Sequence, residues 1–242
     1  MMRILVCFIF AIIALILVCF LILSGFALLV RTNKAYCEDS RVYRSVLNGA
    51  SAAVLWIMRI KVRLSGIEKL PKNQVLLFVG NHRSNFDPII TWYKLRDWNI
   101  AYVSKAENFK IPIFGRLIRR CCFLSIDREN PRKAIKTIND AANLLEKQAV
   151  SIGVYPEGTR SKNGELLPFH NGVLKIAKKS SVPIAVVTLE GTEKIHKNFP
   201  FHRSNIEMNI VDVIPKDRVV SLSSSELATN VRSLVEGALV KR

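Results

Sequence analysis

Residues 4–30 are uncharged and almost wholly apolar, whereas the rest of the chain alternates short apolar runs with amphipathic stretches. As a helix rising about 1.5 Å per residue, the first run exceeds the roughly 30 Å hydrocarbon layer of a bilayer. A cleaved signal peptide, suggested by Arg3, would have an apolar region of only about 7–15 residues before a small-residue site. The run continues past Gly25 and Ala27, so a retained transmembrane anchor over residues 1–31 is expected. A second uncharged stretch, residues 45–58, is too short to span. Tyr43, Val46, Leu47, Ala50, Val54 and Ile57 fall three or four apart, as one face of a helix does. Trp56 with Arg44, Arg59, Lys61 and Arg63 suits a membrane interface, and a helix packed on the following domain explains the periodicity equally well. Residues 32–65 are therefore expected to form an amphipathic, membrane-proximal helical segment.

From residue 66 to 242 the pattern predicts one domain of strands separated by helices. Residues 75–79, 99–103, 150–155 and 183–189 are short apolar runs with strand character, and Ile206, Met208 and Ile210 alternate as a half-buried strand does. Asp87-Pro88 and Asn130-Pro131 are N-cap and first-turn pairs that open helices. Ile135, Ile138, Ala142 and Leu145 trace the apolar face of the second of these. Ser223 and Glu226 form a capping box before Leu227, Val231, Leu234 and Ala238. Strands interleaved with helices predict an α/β fold with a mixed, largely parallel sheet flanked by helices.

Charge changes the picture next. The 242 residues carry 36 Lys+Arg against 19 Asp+Glu, a formal +17 that calls for an anionic partner such as nucleic acid, membrane lipid or a phosphorylated substrate. Half the residues are apolar and 12 are Phe, so the chain is no disordered polybasic tail. Five scattered Cys give no disulfide framework. All the Lys and Arg except Arg3 lie beyond the apolar run, which by the positive-inside bias places the domain on the cytoplasmic face, near anionic head groups. No stacking-aromatic motif, helix-turn-helix signal or zinc spacing supports nucleic acid.

Two segments at predicted strand ends carry candidate chemistry, where ligands gather in such sheets. In Asn81-His82-Arg83-Ser84-Asn85-Phe86-Asp87 the His and the Asp are five apart, about 140° off on one regular helix. Across a strand-to-helix turn, however, the carboxylate can fold back to fix the imidazole tautomer and raise its basicity, as a general base requires. The alternative is that Asp87 only caps its helix. In Tyr155-Pro156-Glu157-Gly158-Thr159-Arg160-Ser161, Gly158 permits close backbone approach and Arg160 is a bidentate phosphate donor; a turn with a solvated Arg is the plainer alternative.

Together the two segments resemble the glycerophospholipid acyltransferase family, in particular its 1-acyl-glycerol-3-phosphate acyltransferases. Asn81, His82 and Asp87 match the first block of that family, N-H-x-x-x-x-D, and residues 155–161 match its F/Y-P-E-G-T-R-S block. Lys105-Ala106-Glu107 followed by Ile126-Asp127-Arg128 fits the second block, and Val182-Pro183-Ile184-Ala185-Val186 the apolar fourth. Two departures stand out: Cys122 where a Gly is common, and His170-Asn171 where a basic pair precedes Gly172. Both bear on head-group preference.

The resemblance implies acyl transfer from a thioester, acyl-CoA or acyl-carrier protein, to the sn-2 hydroxyl of lysophosphatidic acid, giving phosphatidic acid for phospholipid synthesis. It implies His82 as base and Asp87 as its partner, with Arg160, Arg128 and Lys105 on the substrate phosphate. Glu157, Gly158, Thr159 and Asn81 would shape the pocket, and no further cofactor is implied. Another lysolipid acceptor, such as a lyso-ornithine lipid or another lysophospholipid, is the alternative. Lys105 and Arg128 have plain structural alternatives in ion pairs with Glu107 or Asp127. No Gly-x-Ser-x-Gly elbow suggests a serine acyl-enzyme.

Arg116, Arg119 and Arg120 share a helical face that could meet lipid or coenzyme phosphates or an acidic carrier protein, or could simply be solvated. His170, His196 and His202 lack metal-ligand spacing, so no metal is assigned. Cys121 and Cys122 are expected as buried thiols.

Overall fold

The computed structural model describes residues 2–161 and 164–240, apart from the side chains of Met2, Ile4, Leu5, Phe8, Ile9, Ile12 and Val240. Its elements in chain order are α1 (Met2–Leu28), α2 (Arg41–Ile57), β1 (Ile60–Ser65), β2 (Leu77–Gly80), α3 (Asp87–Lys94), β3 (Ile100–Lys105), α4 (Phe114–Arg119) and β4 (Leu124–Ile126). There follow α5 (Pro131–Glu146), β5 (Ser151–Val154), α6 (Lys175–Ser180), β6 (Ile184–Glu190), α7 (Ile195–Asn198), β7 (Ser204–Ile214), α8 (Lys216–Ser221) and α9 (Ser224–Val240). One seven-stranded sheet runs β1-β7-β6-β2-β5-β3-β4. Every neighbouring pair is parallel except the antiparallel β6/β7, so the expected mixed, largely parallel sheet is present.

The period-2 geometry of the central strands divides the core in two. From the β2 segment, Leu76 and Phe78 pack with Leu47, Ile90, Trp92 and Leu95 on the side of α2 and α3. Leu77 and Val79 pack with Leu144, Leu145, Ile176, Leu227 and Val231 on the side of α5, α6 and α9. The helix ends follow the expected chemistry. Oδ1 of Asn130 accepts the Lys133 N–H at 3.1 Å, and Ser223 and Glu226 bond reciprocally at 2.8 and 3.2 Å. The buried face of α5, however, runs through Thr137, Ala141, Ala142, Leu144 and Leu145, leaving Ile135 56% exposed and off the predicted stripe.

The helical segment expected through residue 65 ends earlier. After α2, Arg59 turns the chain at φ 54° and β1 pairs in parallel with β7 along Ile60↔Ser204 to Ser65↔Asn209. The reason is legible in retrospect: Ile60, Val62 and Leu64 are half-buried and Lys61, Arg63 and Ser65 exposed, a period of two in which the basic residues face water.

Among the described residues, α1 touches the domain at its carboxyl end. Ala27 and the following Val30 are each 3% exposed, Leu23 and Phe26 pack on the α2–α3 core, and the Tyr43 hydroxyl donates to the Phe26 carbonyl at 3.0 Å. Further back, Phe10, Leu15 and Ile16 are 63–66% exposed. Among the described residues no helix is long and apolar enough to cross a membrane. The expected anchor includes side chains outside that set, at Ile4, Leu5, Phe8, Ile9 and Ile12.

The arginine cluster is half-buried against the chain's own groups rather than fully solvated. Nη1 of Arg116 donates to the Ala27 carbonyl at 3.5 Å, Arg119 lies over the Phe109 ring, and Arg120 covers Tyr36 and Tyr43. Arg116 and Arg120 thus tie the end of α1 and the linker after it to the α4 region, and Arg119 packs on the segment before α4. Beside them Cys121 and Cys122 are fully buried, and burial pushes both thiols up to about 12, far from a reactive thiolate.

Candidate active site

The turn after β2 builds the first half of the site. Asn81 is 1% exposed, and its side-chain amide bonds both the N–H and the carbonyl of Leu189 on β6, at 2.8 and 2.9 Å. Its part in the site is to fix where the turn leaves the sheet. The next residue, His82, then stands above the carboxyl edge of the strands. Helix α3 begins at Asp87, with Pro88 in its first turn and Phe86 in the N-cap position. The Asp87 carboxylate does not cap that helix. Its Oδ2 accepts the backbone N–H groups of Arg83 and Ser84, both at 2.7 Å, and lies 2.9 Å from Nδ1 of His82. Asp87 is fully buried, and the His82 side chain is 19% exposed. A carboxylate beside Nδ1 keeps the proton there, which leaves Nε2 as the acceptor nitrogen.

The turn after β5 builds the second half. Tyr155 stacks beneath His82, with ring centroids 4.4 Å apart and planes 18° from parallel. The Tyr155 hydroxyl reaches Thr91 on α3 at 3.2 Å; Thr91 also bonds the Tyr102 hydroxyl and donates to the Asp87 carbonyl at 2.8 Å. Burial raises the Tyr155 phenol well above its usual value, so it serves as a neutral platform. Glu157 is 3% exposed and bridges the two turns. Its Oε1 accepts the His82 N–H at 2.6 Å and its Oε2 accepts the Leu167 N–H at 3.0 Å. Burial raises the Glu157 carboxyl, and the two backbone donors oppose that rise. The Ser161 N–H returns to the His82 carbonyl at 2.9 Å, so each turn anchors the other.

Gly158 adopts φ 70°, and a Cβ there would stand 3.0 Å from the His170 ring and 3.9 Å from the Arg128 guanidinium carbon. Arg128 and His170 therefore converge on Gly158 although they are far apart in sequence. Arg128 is lowered by burial, an effect that Glu107 opposes. Asp127 is turned to Lys133 at 3.3 Å instead. Thr159 and Arg160 are exposed at the tip of the β5 turn, and Lys105 is exposed at the end of β3. Three contributors escape a reading of the sequence: Thr91, Tyr102 and the Arg83 guanidinium, which donates to the Gly164 carbonyl at 2.9 Å. None carries a motif signal, because each acts through a fold contact.

A His–Asp pair raised on a strand-to-helix turn thus stands beside a Gly-containing turn bearing Arg160 on the neighbouring strand of an α/β sheet. Residues 61–190 match the model of the Acyltransferase family, and the chain belongs to that family. It is 32% identical over 151 residues to the 1-acyl-sn-glycerol-3-phosphate acyltransferase of Limnanthes douglasii, matching 62% of this chain and 52% of that protein. With the 1-acyl-sn-glycerol-3-phosphate acyltransferase of Borreliella burgdorferi it shares 30% identity over 189 residues, 78% of this chain and 74% of the other. The chain spans about half the length of the plant relatives it matches. The crystal structure of the 1-acyl-sn-glycerophosphate acyltransferase PlsC from Thermotoga maritima superposes with a TM-score of 0.67 and 25% identity, covering 83% of this chain and 81% of that one.

Proposed function

We propose that the chain transfers an acyl group from a thioester to the sn-2 hydroxyl of 1-acyl-sn-glycerol-3-phosphate, giving phosphatidic acid. The observation that carries this is the 2.9 Å contact between His82 Nδ1 and Asp87 Oδ2 at a partly open site. In the proposed reaction, Nε2 of His82 takes the hydroxyl proton as the oxygen attacks the thioester carbonyl. The tetrahedral intermediate collapses with cleavage of the C–S bond, and the imidazolium returns its proton to the departing thiolate. Asp87 stabilises the imidazolium formed between the two steps. Acyl-CoA and acyl-carrier protein are the two donors proposed, with no other cofactor.

Arg160 and Arg128 are the proposed phosphate ligands, with Lys105 at the rim. Arg128 is favoured by its convergence with His170 on Gly158, where no bulk separates backbone from ligand. Glu157 and Asn81 hold the two turns, and Thr159 lies at the mouth. We also place the protein on the cytoplasmic face of a membrane. Support comes from the exposed apolar side chains of α1, among them Phe10, Leu15 and Ile16, and from the position of every Lys and Arg but Arg3 after that helix.

The deciding assay uses the full chain in detergent with lysophosphatidic acid and each thioester in turn, scored for phosphatidic acid. Product with either donor supports the proposal. No product with either, or transfer only to an acceptor without a phosphate, would overturn it.

A further inference from the structure

A second apolar feature lies on the same edge of the sheet as His82. The strand β6 runs parallel to β2, so both end on the site edge; β7 is antiparallel to β6 and β1 parallel to β7, so both begin there. The β6–β7 connection and the turn from α2 into β1 therefore stand on the site edge, one to three strands away from His82, on the order of 5–15 Å. Phe86, next to Asp87, meets the ring of His196 in that connection at 5.1 Å.

The two segments form one surface. The Arg59 guanidinium donates to the carbonyls of Pro200 and Phe201 at 3.2 and 3.1 Å, and the Ser204 N–H bonds the Arg59 carbonyl at 3.2 Å. This staple brings the end of α2 beside the loop tip. Trp56 and Phe201 are each 81% exposed and Phe199 39%, an unusual concentration of large rings in water. Around them basic residues prevail: residues 191–203 hold Lys194, Lys197 and Arg203 against one acidic residue, Glu193, and residues 56–63 hold Arg59, Lys61 and Arg63, of which Arg63 pairs with Glu207 on β7.

We infer that the Phe199–Phe201 loop tip and Trp56 form a second bilayer contact that docks the mouth of the site against anionic head groups. Exposed aromatics ringed by cations match the head-group boundary, where an aromatic ring fits one side and a cation the other. A second contact far along the chain from α1 fixes how the domain faces the bilayer, which one attachment alone does not do. The inference rests on the proposed membrane placement but not on the proposed chemistry.

The test reconstitutes the full chain carrying Phe201→Trp in vesicles of equal phosphatidylcholine and phosphatidylglycerol, with and without bromine on the upper acyl chain. Flotation of the protein with the vesicles is measured in the same samples. The indole emission that the substitution adds over the wild-type chain is expected to be quenched at least twofold by bilayer bromine and shielded from aqueous acrylamide. Lys197→Glu with Arg203→Glu is expected to halve that quenching at least. A reciprocal Trp56→Phe chain is expected to lose bromine-quenchable emission relative to wild type. A floating Phe201→Trp protein whose added emission is open to acrylamide, or shielded but not bromine-quenched, would overturn the second contact alone; the shielded case points to a protein partner. A chain that does not float would overturn the membrane placement as well.

Discussion

Oδ2 of Asp87 stands 2.9 Å from Nδ1 of His82 while accepting the N–H groups of Arg83 and Ser84, so one buried oxygen fixes both the imidazole and the turn that carries it. His82→Ala is expected to lose about 10²–10⁴-fold in kcat, the usual contribution of a positioned general base. Asp87→Asn keeps the size and an oxygen that can accept all three bonds, but removes the negative charge that stabilises the imidazolium and puts an NH2 where Oδ1 has no hydrogen-bond partner. It is expected to fall by a similar factor in kcat with a smaller change in the acceptor KM. Near-normal turnover by either variant in washed membranes would remove the pair from the mechanism.

Arg128 and His170 meet at Gly158, whereas Arg160 extends from the exposed tip of the same turn. Arg160→Ala and Arg128→Ala are each expected to raise the acceptor KM severalfold with a smaller change in kcat, because each removes a charged hydrogen-bond donor from the substrate phosphate. Gly158→Ala meets the φ 70° backbone and the His170 ring together. It is expected to cost about 1 kcal/mol of stability from the backbone alone. Steady-state kinetics against lysophosphatidic acid separates these effects; an unchanged acceptor KM in both arginine variants would move the phosphate elsewhere.

Glu157 gives a pH signature. Burial raises its folded-state carboxyl above the unfolded value, so its contribution to stability is fully present below the unfolded pKa and declines as pH rises through the folded one. Glu157→Gln removes this titration, and the stability of the variant relative to wild type is expected to increase from about pH 4 toward neutrality. The amide cannot accept from both His82 N–H and Leu167 N–H, so activity is expected to drop even where stability recovers. Denaturation midpoints in detergent across that pH range check the sign; parallel curves for the two proteins would contradict it.

The legible and hidden parts of the molecule differ in kind. Residues that act on neighbours within a turn, such as Asn130 with Lys133 or Ser223 with Glu226, are readable because short spacing determines their geometry. His82 and Asp87 are readable as candidates, but whether the carboxylate turns back or caps α3 depends on a turn whose path Asn81 fixes through Leu189, about a hundred residues away. Strand β1 is hidden because three half-buried residues between basic ones read equally as the polar edge of an interfacial helix. The arginines of α4 are misleading in sequence because their partners, Ala27, Tyr36, Tyr43 and Phe109, belong mainly to other elements. Thr91 is invisible for the same reason, since its hydroxyl partners lie on β3 and beyond β5.

Arg44 joins the start of α2 to the sheet. Its guanidinium forms two bonds to Asp39, at 2.6 and 2.8 Å, donates to the Ile100 carbonyl at 3.1 Å and lies over the Trp92 ring. The side chains of Arg44 and Asp39 are 7% and 12% exposed. Asp39→Ala therefore leaves a buried cation with one carbonyl and a ring as partners, and is expected to cost about 3–5 kcal/mol. The Arg63–Glu207 pair offers the control: its members are 83% and 40% exposed at 3.5 Å, and Glu207→Gln is expected to change stability by no more than about 1 kcal/mol. Because the Asp39 segment also bonds α4 through the Ser40 N–H and the Arg120 carbonyl, at 3.1 Å, its loss should loosen the joint to α1 before the sheet unfolds. Limited proteolysis is then expected to cut Asp39→Ala between residues 29 and 40 under conditions that leave wild type intact. Equal stability and equal cleavage in the two proteins would show that the buried pair does not hold the joint.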